Sequence, residues 1–234
     1  MTEFRPSRFE ILPTIIKNLV IINALMFLAQ NVLPNAGISL EDLFALHTWQ
    51  SELFKPWQFV THMFLHGDIF HILFNMFALW SFGSVLENIW GPKKFLTFYL
   101  VSGLGAALCH MIVLYVQNQE LLNTFYSMNP ADQEQYYYAV QQKLNEATIG
   151  ASGAVFGCLA AFGYLFPNAL IIGFPFIIPM KAKWAVLLYA GFELFAAFKS
   201  SAGDNVAHVA HLGGALFGFL LVYFWNKPQR RRFL

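Results

Sequence analysis

Residues 148–166, TIGASGAVFGCLAAFGYLF, contain no charged side chain, and this stretch decides the class of fold. A helix needs roughly 20 mostly apolar residues to cross a lipid bilayer. Five other runs meet the same requirement, so that the predicted spans are 15–33, 69–90, 94–117, 148–166, 183–199 and 206–226. The sequence therefore predicts an all-α, polytopic membrane protein built as a bundle of six transmembrane helices.

The composition also favours a membrane protein. Of the 234 residues, 57% are hydrophobic and 12% are charged, whereas soluble domains carry about 25% charged residues. A net charge of +1 gives no reason to expect a nucleic-acid partner. Cys109 and Cys158 both lie inside apolar runs and are expected to be buried thiols, because a disulfide framework belongs to a different class of protein.

The Lys and Arg residues predict the orientation in the membrane. With the N-terminus inside, the outer segments hold only Lys55, Lys143 and Lys199. The inner segments then hold the other eleven, which are Arg5, Arg8, Lys17, Lys93, Lys94, Lys181, Lys183, Lys227, Arg230, Arg231 and Arg232. The positive-inside rule therefore predicts that both termini are inside and that the long connections 34–68 and 118–147 face outward.

The same pattern divides the chain into three parts. Residues 1–14 are predicted to be a short cytoplasmic leader, 15–226 the six-helix domain and 227–234 a basic cytoplasmic tail. The first apolar run is too long for the core of a signal peptide and is expected to be retained. The short leader, without a transit peptide, favours a bacterial plasma membrane, and an organelle membrane remains the alternative.

Three predicted spans carry polar, chemically reactive side chains at their outer ends. The second span has His71 and Asn75, the fourth has Ser152 and the sixth has His211. The predicted topology brings all four to a similar shallow depth. Ionisable groups inside a membrane are costly, and they usually mark functional sites.

Small residues flank the serine and the histidine. Gly153 and Gly157 are four residues apart on the fourth span, as are Gly214 and Gly218 on the sixth. Such pairs let helix backbones approach closely, and proton transfer between Ser and His requires about 2.6–3.2 Å between heavy atoms. Ordinary helix packing would explain the glycines, but it would not explain why a Ser and a His flank them.

His71 and Asn75 are spaced to lie on one helical face. Acyl transfer produces an oxyanion, and hydrogen-bond donors must be placed in advance to stabilise it. The two side chains and the backbone N–H of Ser152 would serve as donors. A hydrogen-bonded contact between helices is the alternative interpretation of His71 and Asn75.

Two other histidines could belong to a metal site. His62 and His66 are four residues apart, which suits binding of one metal ion. The chain lacks an H-E-x-x-H sequence, and no acidic residue lies at outer depth in the second, fourth or sixth span. These histidines are therefore predicted to be capping or structural groups, and neither a metal nor another cofactor is predicted.

Taken together, three motifs resemble those of the rhomboid intramembrane serine proteases. They are H-x-x-x-H-x-x-x-x-H-I-L-F-N over residues 62–75, G-A-S-G over 150–153 and A-H-L-G-G over 210–214. The resemblance implies a Ser–His dyad in a water-filled cavity, with transmembrane proteins as substrates. Ser152 matches the nucleophile, His211 the general base, and His71 and Asn75 the oxyanion stabilisers.

The resemblance also implies how the cavity is built. Phe156 would pack against the ring of His211, and His208, which lacks the glycine spacing of His211, would be at most a hydrogen-bond partner. The gate of the family maps to the fifth span, at Phe192, Phe195 and Phe198. The small residues expected to line the cavity or pack beside it are Gly150, Gly153, Gly214 and Gly218.

Three further polar residues lie outside these motifs. Gln58, after Trp57, stands where the family often has Arg, so a charge that would anchor the first outer loop to lipid phosphates is missing. Glu87 is near the inner end of the second span and is expected to be a structural hydrogen-bonding group. Glu193 lies within the fifth span, and the sequence does not indicate what satisfies its carboxylate.

Two other functions compete with proteolysis. One is a catalytically inactive, rhomboid-like protein that binds membrane clients, although such proteins typically lack the dyad. The other is a small transporter or channel, which would need charge pairs or broken helices at mid-depth. Residues 173–175, Gly-Phe-Pro, look like a break but fall in an inner loop. The substrate and the oligomeric state stay undetermined.

Overall fold

The structure is a computed structural model, and it describes residues 9–173, 176–199 and 204–230. The predicted leader and tail therefore lie partly outside the described residues, at 1–8 and 231–234. Two residues of the predicted break, Phe174 and Pro175, also lie outside them.

Helices make up most of the described chain. In order they are α1 (Thr14–Val32), α2 (Leu40–Phe44), α3 (Gln58–Thr61), α4 (Ile69–Ala78), α5 (Ser84–Trp90), α6 (Pro92–Ser127), α7 (Pro130–Leu144), α8 (Ser152–Leu165), α9 (Ala182–Lys199) and α10 (Asp204–Arg230). Short 3-10 turns occupy Leu33–Ala36 and His62–Phe64, and a π-helical turn, Leu79–Gly83, joins α4 to α5. The prediction of an all-α bundle is confirmed.

Two small antiparallel ladders complete the described structure. Strand β1 (Leu46–His47) pairs with β2 (Ala147–Thr148), which ties the first long connection to the segment before α8. Strand β3 (Leu170–Gly173) pairs with β4 (Phe176–Lys181) between α8 and α9.

Four helical segments of the described chain are long and apolar enough to cross a membrane, and they agree with four of the predicted spans. They are Thr14–Ala36, Ile69–Trp90, Pro92–Ser127 and His208–Asn226, and Ser152–Leu165 is a shorter apolar helix. The count of six spans and the inside position of both termini stay predictions.

The fourth span was predicted to begin at residue 148, and this boundary is wrong. Residues 147–148 belong to β2, and α8 begins only at Ser152. With 14 residues, α8 is about 21 Å long, shorter than the roughly 30 Å hydrocarbon core of a bilayer. Gly153 faces Ala106, which is 21 residues before the end of α6, so Ser152 starts a helix well inside the bundle.

Glycines bring α8 and α10 into backbone contact. A Cβ added to Gly214 would lie 1.9 Å from the carbonyl oxygen of Gly153, and one added to Gly218 would lie 2.6 Å from the Cα of Gly157. No side chain fits in these gaps. The close approach predicted from the two glycine pairs is confirmed.

The long connection 118–147 is mostly helical. Helix α6 continues to Ser127, and α7 follows after a short turn. Asn129 caps α7 by accepting a hydrogen bond from the backbone N–H of Asp132 at 3.0 Å, with Pro130 at the first helical position. The Gln-rich and Tyr-rich composition is compatible with a helix, and buried Phe125 and Val140 pack the two helices together.

Glu87 holds the beginning of α1. Pro13, at the N-cap, makes no side-chain cap, which leaves backbone N–H groups without partners. The carboxylate of Glu87 accepts hydrogen bonds from the backbone N–H groups of Ile15 and Ile16 at 2.8 and 2.9 Å. A negative charge at a helix N-terminus is favourable, and the structural role predicted for Glu87 is confirmed.

Gln58 organises the first long connection from within. Its buried side-chain oxygen accepts from the backbone N–H groups of His47 and Lys55, and its amide donates to the carbonyl of Leu53 at 2.9 Å. A neutral amide can do this because it offers both donors and acceptors. The connection is therefore anchored at this position by internal hydrogen bonds rather than by a charge.

Candidate active site

Ser152 and His211 are in direct contact. The Oγ of Ser152 lies 2.8 Å from the Nε2 of His211, a normal hydrogen-bond distance. Ser152 is the first residue of α8 and His211 lies on α10, so the glycine contacts between these two helices set the separation. The arrangement allows the hydroxyl to donate its proton to the imidazole.

Phe156 supports the imidazole ring from one side. Its ring stacks on that of His211 with 4.3 Å between centroids and 5° between planes. The edge of Tyr189 from α9 packs against Phe156 at 5.1 Å. Since Phe156 is one turn after Ser152, the same helix carries the hydroxyl and the support for its partner.

The structure adds an acidic residue that the sequence reasoning did not place in the site. Glu193 of α9 is 4% exposed. Its Oε2 lies 2.5 Å from the Nδ1 of His208, and its Oε1 lies 3.2 Å from the Nδ1 of His211. The second contact is within ion-pair distance, although its angle does not make it a hydrogen bond. A buried acid in an apolar span was itself a signal that partners must exist.

The carboxylate and the two imidazole rings have ligand atoms that lie within 4.8 Å of one another, close enough for one metal ion to reach. This trio is Glu193, His208 and His211, and the sequence does not predict a metal site there. The ion-pair contacts account for its geometry. His62 and His66 belong to a different part of the structure.

His71 lies beside Ser152. A Cβ added to Gly150 would be 2.8 Å from the Nε2 of His71 and 3.6 Å from the Oγ of Ser152. The backbone N–H of Gly67 donates to the Nδ1 of His71 at 3.3 Å. Because this nitrogen accepts, the neutral ring carries its proton on Nε2. The Nε2–H is therefore on the side of Ser152 and is available as a donor.

Gly150 can adopt its conformation only because it has no side chain. Its φ is +128°, a region that residues with a Cβ rarely adopt, and its N–H donates to the carbonyl of His62 at 2.9 Å. This turn leads the chain from β2 into α8. The position explains why a glycine precedes the serine in the G-A-S-G motif.

Asn75 presents an unused donor. Its side chain is 7% exposed, and the amide nitrogen has no hydrogen-bond partner among the described residues. Buried polar groups are normally paired, so an unpaired one needs an explanation. Asn75 is one turn after His71 on α4 and lines an apolar cleft together with Val155 and Phe156 of α8.

An apolar cleft opens beside Asn75, with α4 on one side and α8 and β3 on the other. It has a volume of about 400 Å³. Tyr189 is the residue of α9 that lines the cleft. The residues of the predicted gate are exposed on the surface of the same helix, and they are Phe192, Phe195 and Phe198. Its other walls include Asn75, Phe77, Ser81, Val155, Phe156, Leu159 and Leu170.

His62 and His66 lie in the turn before α4. The Nδ1 of His62 is 2.8 Å from the carbonyl of Gln58, and the ring of His66 meets that of His71 edge to face at 5.0 Å. Burial lowers the pKa of both to about 4. They stay neutral at physiological pH and hold the turn that precedes the site, in agreement with a structural role.

The fold thus defines the class of the protein as a polytopic, all-α integral membrane protein with a polar cluster enclosed by its apolar helices. The family model of the Rhomboid domain matches residues 53–227. The chain therefore belongs to the rhomboid family.

Similar proteins carry the same family name. Rhomboid protein 1, mitochondrial, from Saccharomyces cerevisiae is 31% identical over 72% of this chain and 42% of its own length. Rhomboid protease AarA from Providencia stuartii is 28% identical over 87% and 69%, respectively. Rhomboid protease GluP from Bacillus subtilis is 26% identical over 94% and 36%. The chain thus spans less than half the length of two of these relatives.

Proposed function

We propose that this protein is an intramembrane serine endopeptidase that cuts transmembrane helices of other membrane proteins near the outer membrane face. The observation that carries the proposal is the 2.8 Å contact between Ser152 Oγ and His211 Nε2 at the start of a short helix within the bundle. Two of the similar proteins are named as rhomboid proteases.

The chemistry follows from the positions of the hydrogen-bonding groups. His211 accepts the proton of Ser152 as Oγ attacks the substrate carbonyl, and it then protonates the leaving amine. Water releases the acyl group in a second step. The developing oxyanion is stabilised by Nε2–H of His71, the amide of Asn75 and the backbone N–H of Ser152.

The apolar cleft supports a transmembrane helix as substrate. It lies between α4 on one side and α8 and β3 on the other, and its walls are mostly aliphatic and aromatic side chains, with Asn75 among them. A helix has to unwind before its backbone can reach Ser152, and helix-breaking or small residues lower that cost. Substrates are therefore expected to carry such residues near the outer membrane face.

We also propose a bacterial plasma membrane location, with both termini in the cytoplasm. The excess of Lys and Arg in the inner segments supports the orientation. Relatives from mitochondria and bacteria are both similar to this chain, so the membrane has to be identified by fractionation of the source cells.

The decisive experiment compares the purified wild type with Ser152→Ala, using a generic transmembrane-helix substrate in detergent. Cleavage should disappear in the variant while its melting temperature is retained, because Ala suits this small-residue helix. Ser127→Ala, at the exposed end of α6, is the matched control. Residual cleavage by Ser152→Ala, or loss of activity in EDTA that Zn²⁺ restores, would contradict the serine mechanism.

A client-binding protein without catalysis is the alternative. A fluorophosphonate probe separates the two functions because it reacts only with an activated serine and needs no substrate. Labelling of Ser152 in the folded protein supports the protease. Absence of labelling, with a folded protein that still binds a transmembrane helix, supports the client-binding function.

A further inference from the structure

The carboxylate of Glu193 is shared between two histidines of the neighbouring helix. His208 and His211 are three residues apart on α10, so they lie on the same face of it. Each carboxylate oxygen of Glu193 faces a different ring, with Oε2 at 2.5 Å from His208 and Oε1 at 3.2 Å from His211. The contact joins α9 to the helix that carries the proposed base.

Because Glu193 is buried, its carboxylate needs hydrogen-bonding or charged partners. Glu193 is 4% exposed, and an isolated carboxylate at such a position is costly unless donors compensate it. The two imidazole rings are the partners that the structure provides. The side chains of His208 and His211 are less deeply buried, with 17% and 21% of their surface exposed.

The carboxylate also determines which nitrogen of His211 holds the proton. An ionised carboxylate only accepts hydrogen bonds, so of the two neutral tautomers it favours the one that carries the proton on the Nδ1 facing it. In the neutral ring the lone pair is then on Nε2, the atom 2.8 Å from Ser152 Oγ. With the opposite tautomer, His211 would present N–H to the serine and could not accept its proton.

We infer that Glu193 is a positioning residue for His211, so that the site works with three aligned groups, Ser152, His211 and Glu193, rather than with a dyad. The inference rests on the proposed function. His208 occupies the second carboxylate oxygen and thereby holds the first toward His211. The 3.2 Å contact shortens when His211 becomes positively charged during turnover, because catalytic hydrogen bonds often tighten only after substrate binds.

A mechanical role is the competing explanation. Glu193 joins α9 to α10, and the apolar cleft lies against α9 at Tyr189. If Glu193 only ties α9 to α10 and thereby restricts access to the cleft, its substitution should raise the rate of cleavage or change KM. A positioning residue would instead affect kcat and the reaction with a small probe, for which access is not limiting.

The test compares Glu193→Gln and Glu193→Asp with the wild type, and Glu146→Gln, an exposed acid beyond α7, is the control. The Gln amide can donate to one of the rings and so favours the wrong tautomer. We expect kcat to fall roughly 10²- to 10⁴-fold, as when the acid of a soluble Ser-His-Asp triad is amidated. KM should stay constant, and the rate of fluorophosphonate labelling of Ser152 should fall in parallel. Asp, which keeps the charge on a shorter side chain, should restore part of kcat.

Three outcomes would overturn the inference: a Gln variant with wild-type kcat, a variant that cleaves faster, or a loss confined to KM. If Glu193→Gln does not fold, Glu193→Asp decides: its displaced carboxylate should lower kcat and the labelling rate together, and a change confined to KM contradicts the inference. A failure of the proposed function is recognised separately, since Ser152→Ala would then be as active as the wild type.

Discussion

Gly214 and Gly153 touch through their backbones, because a Cβ on Gly214 would be only 1.9 Å from the carbonyl oxygen of Gly153. This contact sets the distance between α8 and α10, and therefore between Ser152 and His211. A distance that depends on the absence of side chains is sensitive to a single methyl group.

Gly214→Ala should lower both stability and activity. The methyl group has to push the two helices apart, and overpacking of this kind costs typically 1–3 kcal/mol. The melting temperature in detergent and the cleavage rate measure the two effects. Gly191→Ala on α9 is the matched control, because nothing lies within 4 Å of its added Cβ. Equal behaviour of the two variants would contradict the role assigned to the contact.

Asn75→Ala should lower kcat on the order of 10²- to 10³-fold at most, the range seen when one oxyanion-hole donor is removed. KM and the melting temperature should change little, since the amide nitrogen has no hydrogen-bond partner among the described residues. Steady-state cleavage kinetics make the measurement. Asn31→Ala is the control, since that amide donates only to the carbonyl of Phe27 on its own helix. An unchanged kcat would remove Asn75 from the site.

Glu87→Gln should destabilise the protein without a direct effect on the chemistry. The Gln side chain has one carbonyl oxygen for the two backbone N–H groups of Ile15 and Ile16, so one buried donor loses its partner. Such a loss costs about 1–3 kcal/mol. Thermal unfolding compares this variant with Glu120→Gln, which changes an exposed acid of α6. A larger effect at Glu120 would refute the capping role.

The stability of the protein should fall as the pH decreases from about 6.5 toward 4. Burial, and secondarily the nearby His110, lowers the pKa of His62 from 6.5 to about 4. The unfolded chain binds a proton in this interval and the folded protein does not, so unfolding becomes more favourable at lower pH. When the pH has fallen to about 4, the protonation of His62 lowers the free energy of unfolding by on the order of 3 kcal/mol.

Melting temperatures between pH 7 and pH 4.5 test this expectation. His62→Asn keeps a donor for the carbonyl of Gln58 but removes the titrating group, so its melting temperature should depend less on pH than that of the wild type. His66, whose pKa is also lowered to about 4, accounts for part of the remaining slope. An identical pH dependence in the variant and the wild type would exclude His62 as a cause.

Patterns formed by residues close together in the sequence predicted the helices and the close packing of two of them. The apolar runs predicted the helices because a bilayer requires backbone hydrogen bonds to be satisfied within each segment. The glycine pairs beside Ser152 and His211 predicted that α8 and α10 approach closely. Small residues four positions apart leave one face of a helix without bulky side chains, so that another backbone can pack against it. The extent of α6 was underestimated, because its polar end continues as a helix outside the apolar run.

Long-range polar contacts were not predictable in the same way. The sequence contained Glu193 as an acid of the fifth predicted span but not its distance from His208 or His211. Gln58 was interpreted as a missing charge, whereas the structure makes it the centre of a hydrogen-bond network. In both cases the partners come from distant segments, and a linear pattern does not contain the rotation of one helix against another.

Hydrophobicity and residue spacing are local properties, so the membrane class, the helices and the family motifs around Ser152 and His211 can be predicted from the sequence. The start of α8 at Ser152 inside the bundle and the contact between Glu193 and His211 emerge only from the three-dimensional arrangement. These features depend on how closely the helices pack and how they are rotated, and packing is determined by contacts between residues that are far apart in the chain.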